Sequence, residues 1–427
     1  MTRYSASEKF LLRAEKVIPL GSQTFSKSRT QYPVGISPLF VDRAKGALIW
    51  DINQNRYIDL VSSLASITIG YGDRKINHAI KKQLRKGVSL SLPGVLEAEV
   101  AELICELVPS VEMVRFGKNG TDATSAAVRL ARAYTGRDHV AVCGYHGWQD
   151  WYIGSTTRNK GVPEAVQNLT HVFNYNEIES LEKIIRDNPE LACVVMEPMN
   201  VSYPNPGFLE SVRELTKKNE ILLVFDETIT GFRFSKGGAQ ELFGIEPDLS
   251  TFGKGIANGF PLSVIGGKRE IMMEMEEIFF SGTFGGELLS LAAAKSVLVM
   301  HKNNMVAIKL AKIGAELQSH LSNEINRLNI SDVLKLSGHP SWLFLNWMDT
   351  NEFKSSQIKT LFQQLMYERG VLILGTLNVS LAHNSKHIKN IKKIFTRTLE
   401  DIAEAIEDLT VDKRLKVKPL KPLFRVR

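Results

Sequence analysis

Amphipathic segments and short apolar runs alternate along the middle of the chain. The segments INHAIKKQLRKG, EAEVAELICELV and GTDATSAAVRLARAYTG have the apolar spacing of helices. Between and after them lie the apolar runs of VEMVRFG, HVAVCGYHG, ACVVMEP and ILLVFDE. Apolar runs separated by helices are typical of a parallel sheet covered on both faces. The pattern therefore predicts a large central α/β domain, with a mostly parallel sheet, over residues 75–304.

The flanking parts of the chain have a different pattern. Several Gly and Pro residues between positions 21 and 38 predict an irregular start, and PLFVDRAKGALIWDINQNRYIDLV follows with strand-like runs. The polar residues Asn53–Asn55 predict a hairpin turn within that stretch. Helical periodicity returns in IKLAKIGAELQSHLSNEINRL and HIKNIKKIFTRTLEDIAEAIEDL. We expect residues 1–74 and 305–427 to form together a smaller α+β domain.

The composition is that of a folded globular protein, and the charge is unevenly placed. Of 427 residues, 44% are hydrophobic and 23% are charged, which excludes a disordered or fibrous chain. The net charge is +7, and residues 411–427 alone carry +6, so the remainder is close to neutral. A basic tail leaves open an alternative class of function, binding to nucleic acid or membrane. We favour a solvated arm lying on the protein, and we expect no nucleic-acid or membrane partner.

The cysteines, and the lack of a signal-peptide core or a membrane-spanning run, indicate the compartment in which the protein resides. Cys105, Cys143 and Cys193 are far apart and fit neither a disulfide framework nor a metal motif. The histidines lack the paired spacing of zinc ligands, so no metal centre is predicted. The polar N-terminal segment lacks a signal-peptide core, and no apolar run approaches the ~18 residues of a membrane span. These features predict a cytoplasmic protein.

Polar residues follow several of the predicted strands, where ligands gather in open parallel sheets. After VRFG come Asn119, Gly120 and Thr121, which open a helix and could bind an anion through free backbone N–H groups. After VAVCG come Tyr145 and His146. Taken singly, an ordinary helix cap and a pair of core side chains are the commoner interpretations.

Two charged residues complete a possible constellation. Asp226 follows the apolar run ILLVF and needs a partner, either a structural cation or the protonated ring nitrogen of a cofactor. Lys254 lies among small residues, and desolvated lysines have a lowered pKa and form Schiff bases. A phosphate turn, an aromatic ring, an acid and such a lysine together are what pyridoxal phosphate requires. The dinucleotide and P-loop motifs are absent from the sequence.

The chain resembles the class III, fold-type I pyridoxal-phosphate aminotransferases, most closely their glutamate-1-semialdehyde 2,1-aminomutase branch. The resemblance is densest in VRFGKNGTDATSAAVRLARAYTGRD, GYHG, DETITGFRFSKGGAQELFGIEPDLSTFGKGIANGFPLSVIGG and SGTFGG, and it runs from about Glu15 to the last helix. It implies the fold-type I architecture, with a large sheet domain and a smaller domain from both chain ends. It also implies a homodimer whose two active sites are shared between subunits.

The resemblance assigns roles by position. Lys254 corresponds to the Schiff-base lysine, and Asp226 to the partner of the pyridine nitrogen. The other residues that the resemblance places around the cofactor are Asn119, Gly120, Thr121, Tyr145, His146, Thr228 and, reaching the phosphate in the neighbouring subunit, Thr283. Weaker candidates for substrate contact are Arg29, Trp148 and Glu197.

Two departures bear on the reaction. The gating loop after YHG in the aminomutases is long and glycine-rich, whereas here GYHGWQDWYIGSTTRNKGVP is shorter and carries Trp148 and Trp151. The aminomutases also have a glutamate shortly before the equivalent of Val379–His383, where this chain has none. The resemblance therefore implies an aminotransferase that moves an amino group between an amino donor and an aldehyde or ketone acceptor. The 2,1-aminomutase, an isomerase, is the alternative.

Overall fold

The structure is a computed structural model that describes residues 3–420, except for the side chain of Asn304. The chain forms two compact units. One unit combines the segment up to Asp73 with the segment from Lys309, and the other runs from Arg74 to Ile308.

Short strands and helices follow one another along the chain. The strands are β1 (Val41–Lys45), β2 (Leu48–Asp51), β3 (Arg56–Asp59), β4 (Met113–Gly117), β5 (His139–Cys143), β6 (Thr170–Val172), β7 (Leu191–Met196), β8 (Leu222–Asp226), β9 (Leu249–Phe252), β10 (Ser263–Gly267), β11 (Leu334–His339), β12 (Trp342–Trp347), β13 (Val371–Leu372) and β14 (Thr376–Asn378). The helices are α1 (Ser5–Ala14), α2 (Ser62–Ala65), α3 (Arg74–Leu84), α4 (Val95–Leu107), α5 (Gly120–Thr135), α6 (Asp150–Ile153), α7 (Glu164–Gln167), α8 (Ile178–Asp187), α9 (Phe208–Lys218), α10 (Ala239–Phe243), α11 (Arg269–Met272), α12 (Leu288–Asn304), α13 (Val306–Arg327), α14 (Ser355–Glu368), α15 (Ser385–Glu407) and α16 (Val411–Arg414).

A mostly parallel sheet forms the centre of the larger unit. Its strand order, within the described residues, is β4-β10-β9-β8-β7-β5-β6. β5, β6, β7, β8 and β9 pair in parallel, whereas β10 is antiparallel to both β4 and β9. The carboxyl ends of β4, β5, β8 and β9 therefore point the same way. The α/β prediction is confirmed, and the antiparallel β10 is an addition to it.

Both faces of this sheet are covered, which explains the uninterrupted apolar runs in the sequence. On β5, Val140 and Val142 pack in one core cluster with residues of α5, whereas Ala141 and Cys143 pack in another with residues of α9. All six residues of β7 are buried. Because successive side chains of a strand point to opposite faces, burial on both faces requires apolar residues at every position.

The smaller unit contains two sheets of its own. The predicted hairpin is confirmed, since β2 and β3 are antiparallel with Ile49 opposite Tyr57. β3 also pairs in parallel with β13, with Ile58 opposite Val371. The sheet order is β1-β2-β3-β13, and β11, β12 and β14 form a second sheet within the described residues.

Directly after β3 the backbone forms a left-handed helical turn, α2. All four of its residues, Ser62–Ala65, have positive φ angles between 47° and 68°. This conformation costs a non-glycine residue roughly 1–2 kcal/mol, so the surroundings must enforce it. The Ser62 hydroxyl donates to the backbone oxygen of Asn378 at 2.6 Å, and Asp59 accepts hydrogen bonds from the N–H groups of Val61 and Ser62.

Two expectations for the chain ends have different outcomes. The predicted irregular start holds for residues 21–38, which form no α-helix or strand, but it is wrong for Ser5–Ala14, which form α1 with Leu11 and Ala14 buried. Of the basic tail, residues 421–427 lie outside the described residues. Its described part lies on the protein as predicted: Arg414 pairs with Glu404 at 2.8 Å, and the Lys416 N–H donates to Gln364.

Candidate active site

The turn between β4 and α5 is arranged to bind an anion. The Asp122 carboxylate accepts hydrogen bonds from the N–H groups of Lys118, at 3.0 Å, and Asn119, at 2.8 Å. These bonds fix the chain just before the first turn of α5. The first N–H groups of a helix have no partner within the helix and point outward with the positive end of its dipole. A phosphate group fits this position.

The loop after β5 packs directly onto this turn. The Thr124 hydroxyl donates to the backbone oxygen of His146 at 2.8 Å, and the N–H of Trp148 donates to the Thr121 hydroxyl at 3.4 Å. Gly147 makes the approach possible, because its φ is +113° and a Cβ there would lie 2.4 Å from Thr121 Oγ1. The phosphate turn and the loop carrying Tyr145 and His146 are thus held together.

Replacing Gly147 by alanine is expected to displace Thr121 and weaken cofactor binding. The strain and the clash together are expected to lower the free energy of unfolding by about 1–3 kcal/mol. Thermal unfolding and titration of the protein with pyridoxal phosphate measure the two effects. Gly161→Ala is the control, because Gly161 also has a positive φ, +93°, but nothing lies near a Cβ there. Equal losses of cofactor affinity in both variants would contradict the role of the close approach.

Asp226 ends β8 as a buried and highly organised carboxylate. Its Oδ1 accepts hydrogen bonds from the N–H of Thr228 at 3.1 Å and from the Thr251 hydroxyl at 3.0 Å. Its Oδ2 lies 2.9 Å from Nδ1 of His146. Burial opposes ionisation, but the hydrogen bond and charge of His146, with the side chain and N–H of Thr228, outweigh it and lower the pKa of Asp226. This carboxylate is suited to face a cation.

His146 is fixed from both sides of its ring. Its Nε2 lies 3.1 Å from the backbone oxygen of Cys143, which can only accept, so Nε2 carries a hydrogen. A proton must then lie between Nδ1 and the Asp226 carboxylate for that contact to be a hydrogen bond. The ring also packs against Trp151 and Tyr152. His146 therefore orients the Asp226 carboxylate.

Lys254 follows β9 at the start of a short 3₁₀ turn, with φ at +40°. Burial lowers the pKa of its ammonium group, an effect that Asp226 and Glu197 oppose and Arg233 reinforces. A lowered pKa increases the fraction of uncharged amine, which is the form that reacts with a carbonyl group.

Glu197 stands behind the loop that carries Tyr145. Its Oε2 accepts hydrogen bonds from the N–H of Tyr145 at 3.2 Å and from the side chain of Asn200 at 2.5 Å. Burial, and then the charge of Asp226, raise the pKa of Glu197 to about 7. This places a second ionisable acid close to Asp226 and Lys254.

The residues present fit pyridoxal phosphate. Thr228 lies against the anion-binding turn, since its methyl group is 3.1 Å from where a Cβ of Gly120 would be. The oriented carboxylate of Asp226, the amine of Lys254 and the anion-binding turn supply the other contacts. No cluster of three or more His, Cys, Asp or Glu suited to a metal occurs within residues 3–420.

The structure brings most of the predicted residues together, including Tyr145, whose N–H donates to Glu197, and Trp148, whose N–H donates to Thr121. Tyr145 and Trp148 are exposed, whereas Trp151 is buried and donates from its indole N–H to Ser125. Thr283 lies on an exposed segment. Arg29 lies in the smaller unit and pairs with Glu15 at 2.5 Å. The roles predicted for all of these site residues stay predictions.

Two residues of this site were missed from the sequence. Thr251 donates to Asp226, and Asn200 donates to Glu197. Thr251 precedes Lys254 by three residues in STFGK, so its nearness to the lysine was visible. The position of Asn200 beside a buried acid had no signal, because it depends on how the chain turns after β7.

The comparisons with known proteins agree with this geometry. The family described as Aminotransferase class-III matches residues 31–399. Glutamate-1-semialdehyde 2,1-aminomutase 2 of Brevibacillus brevis is 35% identical over 436 residues, covering 95% of this chain and 99% of that protein. The aminomutase of Persephonella marina is 36% identical over 384 residues, covering 83% and 90%.

A solved structure extends the agreement to the fold. The FumI protein of Sphingopyxis sp. MTA144, in its PLP internal aldimine form, has a TM-score of 0.88 at 25% identity, covering 97% of this chain and 99% of that one. The predicted fold-type I architecture and the predicted cofactor are confirmed. By its sequence and its fold, the chain belongs to the class III aminotransferases, which are enzymes dependent on pyridoxal phosphate.

Proposed function

We propose that this enzyme transfers an amino group from an amino donor to a separate aldehyde or ketone acceptor, with Lys254 and Asp226 as its catalytic residues. The observation that carries the proposal is the buried carboxylate of Asp226, oriented by His146 and Thr251, together with the buried amine of Lys254 and the anion-binding turn. Bound pyridoxal phosphate supplies a carbonyl group for the amine and a ring that withdraws electrons.

Different residues of the protein would have different roles in this reaction. Residues 119–121 would hold the phosphate through the N–H groups at the start of α5. Lys254 would hold the cofactor through Nζ, and the free amine at Nζ would accept the proton of the amino-bearing carbon and donate that same proton again, as its lowered pKa permits. Asp226, ionised and held by His146 and Thr251, would keep the ring nitrogen of the bound cofactor protonated. Tyr145 and Thr228 are proposed to lie on opposite faces of the ring.

A second candidate is the 2,1-aminomutase, in which one molecule is both donor and acceptor. The names of the two relatives above favour it. The short loop after GYHG and the lack of a glutamate before Val379 support the two-substrate reaction instead.

The decisive experiment offers amino donors and oxo acceptors separately. A purified two-substrate enzyme is expected to convert its bound cofactor fully to the amine form with a donor alone, and back with an acceptor alone. The absorption spectrum of the bound cofactor follows both half-reactions. Rescue of a strain that lacks tetrapyrrole synthesis, without a half-reaction for any separate donor, would instead establish the aminomutase.

We also propose a homodimer with shared active sites. A groove of about 930 Å³ on the larger unit runs between α3, α4 and α12. Leu90, Val95 and Val299 line it and are exposed, with lysines around them. An exposed apolar surface of this kind is typical of a protein interface, and Thr283 would reach the partner's cofactor in such a dimer.

Replacing Val95 by aspartate is expected to weaken the dimer by about a hundredfold or more, since it replaces an apolar contact of the interface by a charge that must lose its water. Val95 is the first residue of α4, where an acid favours the helix itself, so the fold should persist. Analytical ultracentrifugation measures the dissociation constant. Val17→Asp is the matched control, because both valines are 79% exposed. A dimer unaffected by Val95→Asp would contradict this interface.

The proposed location is the cytoplasm. Cys105, Cys143 and Cys193 are all free thiols, as expected in a reducing compartment. Among the described residues, the helices are all too short or too polar to span a membrane.

A further inference from the structure

An ion pair connects the phosphate turn to the segment that carries Thr283. The Lys118 ammonium lies 3.2 Å from Oε2 of Glu287, and their side chains are only 18% and 14% exposed. Lys118 directly precedes the turn formed by Asn119, Gly120 and Thr121, and Glu287 ends the segment SGTFGGE. Neither residue is assigned a role by the reaction described above.

Glu287 is held as an anion at the start of α12. Its carboxylate accepts hydrogen bonds from the N–H groups of Leu289, at 2.7 Å, and Ser290, at 3.2 Å, and from the Ser290 hydroxyl. Burial opposes its ionisation, but the contacts of Ser290 and Leu289 and the charge of Lys118 outweigh it and lower the pKa of Glu287. The lysine therefore meets a fixed charge at the end of a 17-residue helix.

The segment also lies against the strand that leads to the turn. A Cβ at Gly285 would lie 3.1 Å from the backbone oxygen of Phe116, and one at Gly117 would lie 3.5 Å from the Phe280 ring. Residues 281–284 are exposed and belong to no helix or strand. Their position thus depends on these contacts and on the cap at Glu287.

We propose that Lys118 and Glu287 are a positioning pair, which fastens the phosphate turn to residues 281–287 and so retains the cofactor. This inference rests on the proposed function, in which the turn binds phosphate and Thr283 reaches the partner's phosphate. Because the pair is largely shielded from water, it is screened less by salt than an exposed pair and restrains both segments. Neither side chain touches the reacting atoms.

The test measures how fast the dimeric holoenzyme loses pyridoxal phosphate on dilution. Lys118→Met and Glu287→Gln are each expected to speed the loss about tenfold, as for a charged hydrogen bond. The double variant is expected to match the single ones, because one interaction has been removed in all three. Lys118→Arg should retain the cofactor nearly as well as the native enzyme.

A second readout is independent of the cofactor. Hydrogen exchange of residues 281–287 should be faster in Lys118→Met, although the substituted residue is distant in sequence. Lys302→Met is the control. Lys302 lies on α12, the helix that begins directly after Glu287, but its ion pair with Glu106 of α4 is exposed, so its loss should alter neither readout. Unchanged exchange in Lys118→Met, or effects of the two single variants that multiply in the double one, would overturn the proposal. If the protein bound no cofactor, the proposed function would be contradicted, but hydrogen exchange of residues 281–287 would still test the ion pair.

Discussion

Replacing Lys254 by alanine is expected to lower turnover by at least about a thousandfold, because the variant loses the group that moves the proton. The variant should still fold, since the side chain caps no helix and the backbone turn Lys254–Ala257 remains. Turnover in the best donor–acceptor pair is the first measurement. The visible absorption band of bound cofactor, which depends on its link to Nζ, is the second.

Lys236→Ala is the matched control for this variant. The Lys236 side chain is 59% exposed, and its ammonium group lies 3.9 Å from the Glu241 carboxylate, which is a weak ion pair. Its loss should therefore change neither turnover nor the absorption band. Full activity in Lys254→Ala would end the proposed assignment of this lysine. Addition of a small amine in solution should restore part of the lost rate if the missing group acts as a base.

Replacing Asp226 by asparagine is expected to reduce turnover by about a hundredfold to a thousandfold, as for removal of a preorganised electrostatic contact. Asparagine is nearly the same size, so the packing around His146 and Thr251 should be kept while the negative charge is lost. The loss should fall mainly on kcat, and the absorption band of the cofactor should shift with the protonation of its ring nitrogen.

The neighbouring Glu227 provides a control for the replacement of a buried carboxylate by a neutral amide. Glu227 is also buried, and it accepts hydrogen bonds from the N–H groups of Ala239 and Gln240, both at 2.8 Å. Glu227→Gln is expected to lower the unfolding temperature and leave kcat nearly unchanged. If Asp226→Asn also altered stability alone, its carboxylate would be a structural group.

The larger unit was the more predictable part of the molecule. Its central strands β7, β8 and β9 are buried on both faces, so their apolar runs are visible without any knowledge of their neighbours. β10 was less visible, because Ser263–Gly267 is short and ends in two glycines. α2 could not be predicted at all, since Ser62–Ala65 would suit a right-handed helix equally well and only its tertiary contacts enforce the left-handed form.

The residues of the site could be predicted from the sequence more readily than the contacts between them. Asp226 and Lys254 stand out because a charge follows an apolar run or lies among glycines. The bond from His146 to Asp226 joins residues 80 apart, and the pair of Lys118 and Glu287 joins residues 169 apart. Contacts of this kind depend on the order of strands in the sheet, which local patterns do not determine.

The pairing of β3 with β13 has a consequence for the order in which the protein folds during synthesis. The larger unit, Arg74–Ile308, is continuous and can fold as soon as it leaves the ribosome. β3 must wait for β13, because Ile58 and Leu60 donate their N–H groups to Gly370 and Leu372. Until then β3 presents an open edge to other nascent chains, and the left-handed turn beside it lacks the Asn378 contact. The growing chain therefore carries an unfinished sheet through most of its translation, and this interval is where we expect chaperones to matter.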